Sequence, residues 1–317
     1  MTISVIIPAR NEAKNIGRTL DALAVQTLPK SDFEVILADN GSTDDTIAIA
    51  EKYASLLTLN IICTPATSIA QVRNDGVHAA SGDIFAFLDA DCTAKASWLE
   101  EALASQPAHS IWGAHYTVPH GATWVGRVWE EFQASSHKGP TNFLPTSNLF
   151  VERNDFMAIG GFASSQQTSE DVDFSLRARR QGLSVIAIPA LAVVHEETPS
   201  TLPQFFWQNY WHGKHVVRMF VRNLPSTKSL PIVVLSLYIL AMLIATVLAS
   251  IITIATRHTT PFLICIFFLL LPSVALSVRK TLAAGRLAAV PALAFLYLTY
   301  FTARALSIIL HAVRRHR

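Results

Sequence analysis

Short apolar runs and amphipathic segments alternate along the first 200 residues of the chain. The clearest runs, rich in Val, Ile, Leu and Phe, are residues 3–7, 33–38, 84–88 and 185–194. Segments with a helical repeat of apolar positions are residues 16–24, 69–82 and 172–181, and Gly82 is expected to end the second of them. Apolar strands that alternate with amphipathic helices predict an α/β domain, with a parallel sheet covered on both faces.

Two acids stand at the tip of the third apolar run. Asp89 and Asp91 are one residue apart, and on a continuing strand they would point to opposite faces. If the chain turns there, both can reach one hard divalent cation that also binds phosphates. The alternative is a solvated loop that carries two acids. Because open α/β sheets bind their ligands at such strand ends, the context favours a binding site.

Polar turns also follow the first two strands. Pro8, Arg10 and Glu12 are expected in the loop after the first strand, and Asp39 ends the second. Because the carboxyl ends of parallel strands share one edge of a sheet, both turns are predicted to lie beside the acid pair. Two alternatives remain open. Asp39 could cap the following helix, and Arg10 could pair with Glu12.

The charge of the chain changes abruptly after Glu197. The first 197 residues contain all 23 acids and 13 of the 25 Lys and Arg residues, a net charge of −10, whereas the last 120 contain 12 basic residues and no acid. An acidic first part argues against binding to nucleic acid. The first strand is not followed by a G-x-G-x-x-G sequence, which disfavours a nicotinamide-dependent dehydrogenase. The three cysteines have no metal or redox spacing and are expected to remain thiols.

The basic tail contains long uncharged segments. Residues 230–256 and 261–278 carry no charge, and each approaches the roughly 20 residues that a helix needs to cross a bilayer. A third apolar segment, 287–312, contains Arg304, whose insertion costs roughly 2.5–3.5 kcal/mol. This segment is predicted either to cross the membrane or to lie along its surface, with Arg304 turned towards other helices or a lipid phosphate.

The segment before these apolar stretches is amphipathic. Residues 204–223 place Gln, His and Arg side chains on one helical face and Phe206 and Tyr210 on the other, a pattern typical of a helix in the membrane interface. Lys214 and Arg218 could contact a donor diphosphate, the phosphate of an acceptor lipid, or bilayer headgroups.

These patterns divide the chain into three parts. They are an α/β domain at 1–200, an amphipathic interfacial helix or linker at 201–228 and a membrane domain at 229–317. The positive-inside rule predicts a multi-pass protein of the plasma (inner) membrane, with residues 1–228 and the loop 279–286 in the cytoplasm. Three crossings would leave the basic C-terminal end outside, against that rule. No signal peptide is expected, since the apolar run 5–7 is too short.

Six short motifs occur in the order and spacing of the family 2 glycosyltransferases, and the chain resembles that family over about its first 200 residues. The motifs are Pro8-Ala9-Arg10-Asn11-Glu12, Asp39-Asn40-Gly41-Ser42-Thr43-Asp44, Arg73-Asn74 with Ala80-Ser81-Gly82, Asp89-Ala90-Asp91, Gly160-Gly161-Phe162 and Ser169-Glu170-Asp171-Val172-Asp173-Phe174. The resemblance implies the GT-A fold, a Rossmann-like and mostly parallel sheet that binds a nucleotide-diphospho-sugar. Here an interfacial helix and two or three transmembrane helices would follow it.

The resemblance also implies roles at the donor side of the sheet edge. Asp39 and the 8–12 loop would hold the nucleobase and ribose of the nucleotide-sugar. Asp91 would bind Mg²⁺ or Mn²⁺ directly, with Asp89 nearer the ribose or bound to the ion through water. Arg73 would approach the diphosphate or the acids that order the site. A solvated arginine on the helix face is the alternative for Arg73.

On the acceptor side, the resemblance points to Asp171 as the general base, with Glu170 in the donor site. Either acid could instead cap the helix that follows. One base on one face of the sugar implies a single displacement with inversion. His195 stands where related enzymes often bring a histidine to the metal, and a purely structural histidine is the alternative. Gly161 would shape the acceptor side of the pocket.

Together these features predict a membrane-anchored inverting enzyme that moves one sugar from a nucleotide-sugar, most simply a UDP-sugar, to a lipid or polyprenyl-linked acceptor. A homo-oligomer or pathway partner proteins are compatible with this prediction. A polysaccharide synthase is one alternative, but residues 208–211 are Gln-Asn-Tyr-Trp where processive synthases carry Gln-x-x-Arg-Trp. A non-catalytic, sugar-nucleotide-binding scaffold is another, although it would not need a base at Asp171.

Overall fold

The computed structural model describes residues 1–134, 138–165, 169–213 and 230–314. The chain divides into two compact units, the first made of Met1–His120 and Ser136–Glu197, the second of Gly121–Ser135 and Thr198–Arg317. The segment 121–135, which the sequence places in the α/β domain, thus packs with the second unit.

The first unit is built on an eight-stranded sheet and a two-stranded one. The strands are β1 Ile3–Ala9, β2 Phe33–Asp39, β3 Leu59–Cys63, β4 Ile84–Leu88, β5 Cys92–Thr93, β6 Ser110–Gly113, β7 Gly139–Pro140, β8 Asn148–Glu152, β9 Ser184–Ala187 and β10 Val194–His195. The large sheet has the order β3-β2-β1-β4-β8-β6-β9-β7, and β5 pairs with β10. β1, β2, β3 and β4 run parallel to one another. β8 is antiparallel to both of its neighbours, β4 and β6. The predicted α/β class is confirmed.

Helices cover both faces of this sheet. In chain order the helices of the protein are α1 Ile16–Ala24, α2 Thr46–Glu51, α3 Ile69–His78, α4 Trp98–Ala104, α5 Trp124–Ala134, α6 Arg153–Ile159, α7 Glu170–Arg180, α8 Leu202–Gly213, α9 Leu230–Thr256, α10 Thr260–Ala283 and α11 Val290–Arg314. Val5 and Ile7 of β1 belong to the same core cluster as Leu20 of α1, whereas Ile6 clusters with Val77 of α3. Each such aliphatic side chain contributes about 1.5–3 kcal/mol when it is fully buried, so both faces hold β1 in place.

The helix before β4 ends earlier than the sequence predicts. α3 stops at His78 rather than at Gly82. The Gly82 N–H donates to Ser4 Oγ at 2.8 Å, and a Cβ atom on Gly82 would lie 2.7 Å from the backbone nitrogen of Ser4. The close approach of this loop to β1, and not a helix stop, therefore requires the glycine.

The predicted strand 185–194 is also wrong as a single element. β9 ends at Ala187, a short 3-10 helix covers Pro189–Leu191, and β10 covers only Val194–His195. Because proline lacks the N–H that a strand ladder needs, the sheet is interrupted there. β10 then pairs with β5 outside the large sheet.

The described part of the second unit contains three helices that are long and apolar enough to cross a membrane. They are Leu230–Thr256, Thr260–Ala283 and Leu287–Leu310. In the most apolar window of the first two, 17% of the residues are buried, against 44% in the third. α9 and α10 expose large apolar side chains such as Ile251 and Phe267. The third segment therefore packs more extensively against protein than the other two.

α8 packs along α11 with a face that differs from the predicted one. Its buried residues are Phe205, Asn209 and Gly213. Phe206 and Tyr210, predicted to form the apolar face, are only half-buried, and Trp207 and Trp211 are exposed. The helix is amphipathic, but tertiary packing selects a polar Asn and a Gly for its buried side.

Candidate functional site

The carboxyl ends of β1, β2 and β4 lie side by side. Asp39 is the last residue of β2, and Asp89 follows β4 directly, so both acids emerge at one edge of the sheet. Pro8, predicted in the loop, instead lies inside β1 opposite Ala38 and is buried. Since β1 pairs with β4 only as far as Ile6, the missing N–H of Pro8 interrupts no bond on that side.

Asp39 is buried and holds the turn that follows it. Its carboxylate accepts a hydrogen bond from the backbone N–H of Ser42 at 2.9 Å and another from the Ser42 hydroxyl. Ser42 Oγ accepts from the N–H of Asn11 at 2.9 Å, and Asn11 Oδ1 accepts from the N–H of Thr43 at 2.8 Å. The loops after β1 and β2 are therefore tied together. α2 begins only at Thr46, so Asp39 supports the turn and does not cap the helix; its contact with a nucleobase stays a prediction.

Arg73 connects the end of β4 to the start of α7. Its side chain is 3% exposed, Nη2 donates to Asp89 Oδ1 at 2.7 Å, and Nη1 donates to Glu170 Oε1 at 2.6 Å. Thr146 Oγ1 donates to the same oxygen of Glu170 at 3.3 Å. One buried guanidinium thus fixes two acids through charge-assisted hydrogen bonds. The alternative of a solvated arginine is wrong, because Arg73 is buried among the acids of the site.

Asp91 and His195 come together because β5 pairs with β10. His195 lies opposite Cys92 in that ladder, and His195 Nε2 is 3.5 Å from Asp91 Oδ2. The ring of Tyr116 packs against the imidazole, with centroids 4.7 Å apart. Burial raises the pKa of Asp91 to about 6, with His195 opposing the rise and the charge of Asp89 adding to it.

Glu12 belongs to the same cluster of acids. Burial raises the pKa of Glu12 to about 7, with the hydrogen bond from Asn15 opposing the rise and the charges of Asp91 and Glu197 adding to it. Asn15 Nδ2 donates to Glu12 Oε2 at 3.2 Å and to Glu197 Oε1 at 2.9 Å. Arg10 is exposed and forms no ion pair with Glu12 in the described part of the chain, so that alternative is wrong. Sequence reasoning missed Asn15 and Glu197, whose proximity depends on the tertiary fold.

These side chains fit a divalent cation. Asp91, Cys92 and His195 offer ligand atoms that lie within 4.8 Å of one another, and the buried Nδ1 of His195 has no hydrogen-bond partner in the part of the chain that the structure describes. Burial raises the pKa of the Cys92 thiol well above its usual value, so the sulfur stays protonated. Since oxygen ligands suit Mg²⁺ and Mn²⁺, Asp91 with His195 is the pair that fits such an ion best.

Asp171 lies in the first turn of α7, beside Glu170. Its Oδ1 accepts a hydrogen bond from the N–H of Val172 at 2.8 Å. Burial and the charge of Glu170 raise the pKa of Asp171 to about 7, while the Val172 N–H and the charge of Arg73 oppose the rise. A carboxyl group with a pKa near neutral pH is suited to take a proton from a hydroxyl group. The general-base role of Asp171 stays a prediction.

Gly161 lies in a left-handed turn after α6, with a φ of 64°. Asn74 clamps the next residue, because its Nδ2 donates to the Phe162 carbonyl at 2.8 Å and its Oδ1 accepts from the Phe162 N–H at 3.0 Å. A Cβ on Gly161 would lie 3.0 Å from that same Oδ1. The turn therefore requires the glycine, and its contact with an acceptor stays a prediction. Lys214 and Arg218 lie outside the described residues.

The mostly parallel sheet covered by helices gives this chain an α/β fold of the GT-A type. The sequence profile of Glycosyl transferase family 2 matches residues 4–166, and the chain belongs to that family. The resemblance carried by the six motifs is confirmed.

Known proteins of this kind share both sequence and fold with the chain. Glycosyltransferase AglE of Haloferax volcanii is 34% identical over 191 residues, which cover 58% of this chain and 63% of that protein. The chain spans less than two thirds of the length of the curated relatives it matches.

Two solved structures show the fold. The mannosyltransferase PcManGT from Pyrobaculum calidifontis, in complex with GDP-Man and Mn²⁺, has a TM-score of 0.61 and 18% identity, with coverage of 98% of this chain and 86% of that one. Residues 1–349 of S. aureus TarS, in complex with UDP-GlcNAc, have a TM-score of 0.52 and 17% identity, with coverage of 97% of this chain and 90% of that one.

Proposed function

We propose that the chain is a membrane-anchored inverting glycosyltransferase that moves a single sugar from a nucleotide-sugar to a lipid or lipid-linked acceptor. One observation carries the proposal. Arg73 joins Asp89, at the end of β4, to Glu170, the neighbour of Asp171, through hydrogen bonds of 2.7 and 2.6 Å. The hydrogen bonds of Arg73 thereby link an acid expected at the donor to the residue that precedes the expected base.

On the donor side, the residues of the sheet edge bind the nucleotide and position its diphosphate. The tied loops that contain Asn11 and Ser42 give the nucleoside a fixed wall. Asp91 with His195 would hold the Mg²⁺ or Mn²⁺ ion, which when bound supplies Lewis-acid stabilisation of the leaving diphosphate. A UDP-sugar is the donor we favour; the similar structures contain UDP-GlcNAc in one case and GDP-Man with Mn²⁺ in the other.

On the acceptor side, Asp171 takes the proton of the attacking hydroxyl. Its pKa of about 7 leaves a large share of the group ionised at neutral pH while keeping it basic enough to accept that proton. The oxygen then bonds to the anomeric carbon as the bond to the diphosphate breaks, in a single displacement that inverts the configuration. Glu170 is engaged by Arg73, whereas Asp171 has no bond to an arginine among the residues that the structure describes.

The apolar helices that follow the domain in sequence support a lipid acceptor. α9 and α10 expose apolar side chains along their length, as expected of helices that face lipid. We therefore place the protein in the plasma (inner) membrane with the first unit in the cytoplasm, as the positive-inside rule favours. For the third apolar segment, a membrane span and a surface helix remain the two predictions.

The test is release of nucleoside diphosphate by the detergent-purified full chain, with a panel of sugar nucleotides, Mn²⁺ or Mg²⁺, and total membrane lipid. Asp171→Asn should lower the transfer rate by roughly 10²- to 10⁴-fold, the usual contribution of a general base. The matched control is Asp173→Asn on the same helix turn, where the acid pairs with Arg177 at 2.8 Å and has no assigned chemical role. Donor binding should persist in both variants.

Two results would overturn the proposal. If Asp171→Asn turns over as fast as Asp173→Asn, the base is another group. If donors bind but no lipid fraction supports turnover, the scaffold alternative takes precedence. Processive synthesis would instead appear as long products from one donor.

A further inference from the structure

Arg304 of the second unit has no acidic partner among the described residues. Arg304 lies in α11, within the third segment that is apolar enough to cross a membrane. No carboxylate among the described residues lies within ion-pair distance of it, and the sequence contains no acid after Glu197. An ionisable group in an apolar helix indicates a functional site, and it calls for a named partner.

The contacts of the Arg304 guanidinium are with uncharged groups. Nη1 donates to the carbonyl oxygen of His212 at 3.0 Å, and the group lies 5.0 Å from the centre of the Tyr300 ring. Its Nε and the hydroxyl of Ser307 are both buried and have no hydrogen-bond partner within the described ranges. Burial lowers the pKa of His212 to about 4, and the charge of Arg304 adds to the decrease.

The contact with α8 indicates which anion is available. Trp207 and Trp211 lie one turn apart on α8 and are exposed. Tryptophan is enriched where a protein meets the headgroups of a bilayer. Because Arg304 bonds to the carbonyl of the residue after Trp211, its guanidinium lies at the level of these side chains. Lipid phosphates are the abundant anions at that level.

We propose that Arg304 binds the phosphate of an anionic lipid headgroup. The planar guanidinium can donate two parallel hydrogen bonds to phosphate oxygens, which a single ammonium group cannot do. A lipid-phosphate acceptor and a bilayer phospholipid share this chemistry, and only the first source rests on the proposed function. The competing explanation is that Arg304 merely caps the last carbonyls of α8.

The experiment measures lipid binding to the detergent-purified full chain by native mass spectrometry. The probes are decaprenyl phosphate, decaprenol and dioleoyl phosphatidic acid, with inorganic phosphate as competitor. Arg304→Gln keeps a donor for the His212 carbonyl but removes the charge, and Arg304→Lys keeps the charge. Arg279→Gln, at an exposed position of α10, removes the same charge elsewhere in the second unit.

We expect Arg304→Gln to weaken binding of both phosphate lipids by roughly tenfold or more, the loss of hydrogen bonds to a charged group. Decaprenol binding should not change, and Arg279→Gln should bind like the parent. Tighter binding of decaprenyl phosphate than of phosphatidic acid would assign the site to an acceptor; equal binding would assign it to phospholipids in general. Competition by inorganic phosphate would show that the headgroup alone is recognised.

Three outcomes would overturn the inference. Arg304→Gln could bind both phosphate lipids as tightly as the parent, or Arg304→Gln and Arg279→Gln could lose affinity for them equally. In the third outcome, the parent binds decaprenol as tightly as decaprenyl phosphate. Thermal unfolding of Arg304→Gln checks that the cap on α8 is retained. Since the readout needs no turnover, the site can fail while transfer through Asp171 stands. If the proposed sugar transfer fails instead, lipid binding that depends on Arg304 is still detected without any transfer.

Discussion

The bridge made by Arg73 predicts a large and specific loss of stability when it is removed. In Arg73→Met an uncharged side chain that matches the aliphatic part of arginine removes the guanidinium, so Asp89 and Glu170 lose their common partner. The side chain of Glu170 is 10% exposed and that of Asp89 is 28% exposed. Glu170 can recover less hydration than Asp89, and most of the loss is expected to come from it.

The magnitude follows from the burial of the network. Removing one partner of a buried ion pair costs about 3–5 kcal/mol, because the remaining charge stays desolvated. For a unit of this size each kcal/mol shifts Tm by roughly 2–4 °C, so Arg73→Met should lower the Tm of the first unit by roughly 6–20 °C. Arg73→Lys retains a charge but cannot make both bonds, and we expect it to lose about 1.5–3 kcal/mol.

The assay is thermal unfolding of the full chain in detergent, followed by near-ultraviolet circular dichroism. The matched control is Arg18→Met, which breaks a pair with Glu196 at 3.0 Å in which the arginine side chain is 56% exposed. An exposed pair of that kind contributes at most about 1 kcal/mol. If Arg73→Met lowers Tm no more than Arg18→Met does, the buried hydrogen bonds of Arg73 stabilise the fold no more than an exposed ion pair does. That result would refute the prediction.

Three further predictions address the metal, the base and the backbone. Mn²⁺ at a hundredfold excess over its Kd at pH 8 should stabilise the protein by about 2.7 kcal/mol at that pH. The same concentration should stabilise it less at pH 5, because Asp91, with a pKa of about 6, is then protonated. The Mn²⁺-dependent rise in Tm should disappear in Asp91→Asn and shrink in His195→Ala. The transfer rate at saturating donor should fall as the pH is lowered through about 7, because the raised pKa of Asp171 means that the base is protonated below it; a rate that is flat between pH 6 and pH 8 would contradict this assignment. Gly82→Ala should destabilise the protein by about 1–3 kcal/mol in chemical denaturation, because its Cβ would lie 2.7 Å from the β1 backbone. The control is Gly17→Ala within α1, whose Cβ would meet only side chains, at 3.6 Å or more. It should leave stability unchanged or raise it by about 0.5–1 kcal/mol.

The strands at the centre of the sheet could be predicted from the sequence. β2 is found at the predicted position, and β1 and β4 contain the predicted apolar runs. Their signal is strong because both faces of a central parallel strand are buried, which leaves a continuous apolar run. α1 matches its predicted bounds for a related reason: its helical stripe is buried against β1 and ends with the apolar pattern.

The arrangement of the site depends on contacts that the sequence does not encode locally. The pairing of β5 with β10 joins residues about a hundred positions apart, and only that pairing sets His195 beside Asp91. The bridge from Arg73 to Glu170 likewise spans 97 positions. Sequence motifs suggested that these residues belong to one site, but a motif does not specify which acids will bond to the arginine.

The packing and hydrogen bonding of the backbone explain two errors of the sequence prediction, at Gly82 and at Pro8. Gly82 was expected to stop a helix, yet its role is to let a loop approach β1. Pro8 was expected in a loop, yet it is tolerated inside β1 because β4 no longer pairs there. In both cases the residue type has two structural uses, and the neighbouring strand decides between them.

The acids of the sheet edge fall into two groups according to their partners. Asp89 and Glu170 are held by Arg73 through charge-assisted hydrogen bonds of 2.7 and 2.6 Å. Glu12, Asp91 and Asp171 have no arginine or lysine at ion-pair distance in the described ranges, and burial raises the pKa of each. A desolvated carboxyl group without an arginine or lysine partner lowers its free energy by gaining a cation or a proton. Under the proposed function, Asp91 gains a metal ion and Asp171 gains a substrate proton, while Arg73 holds the other two acids.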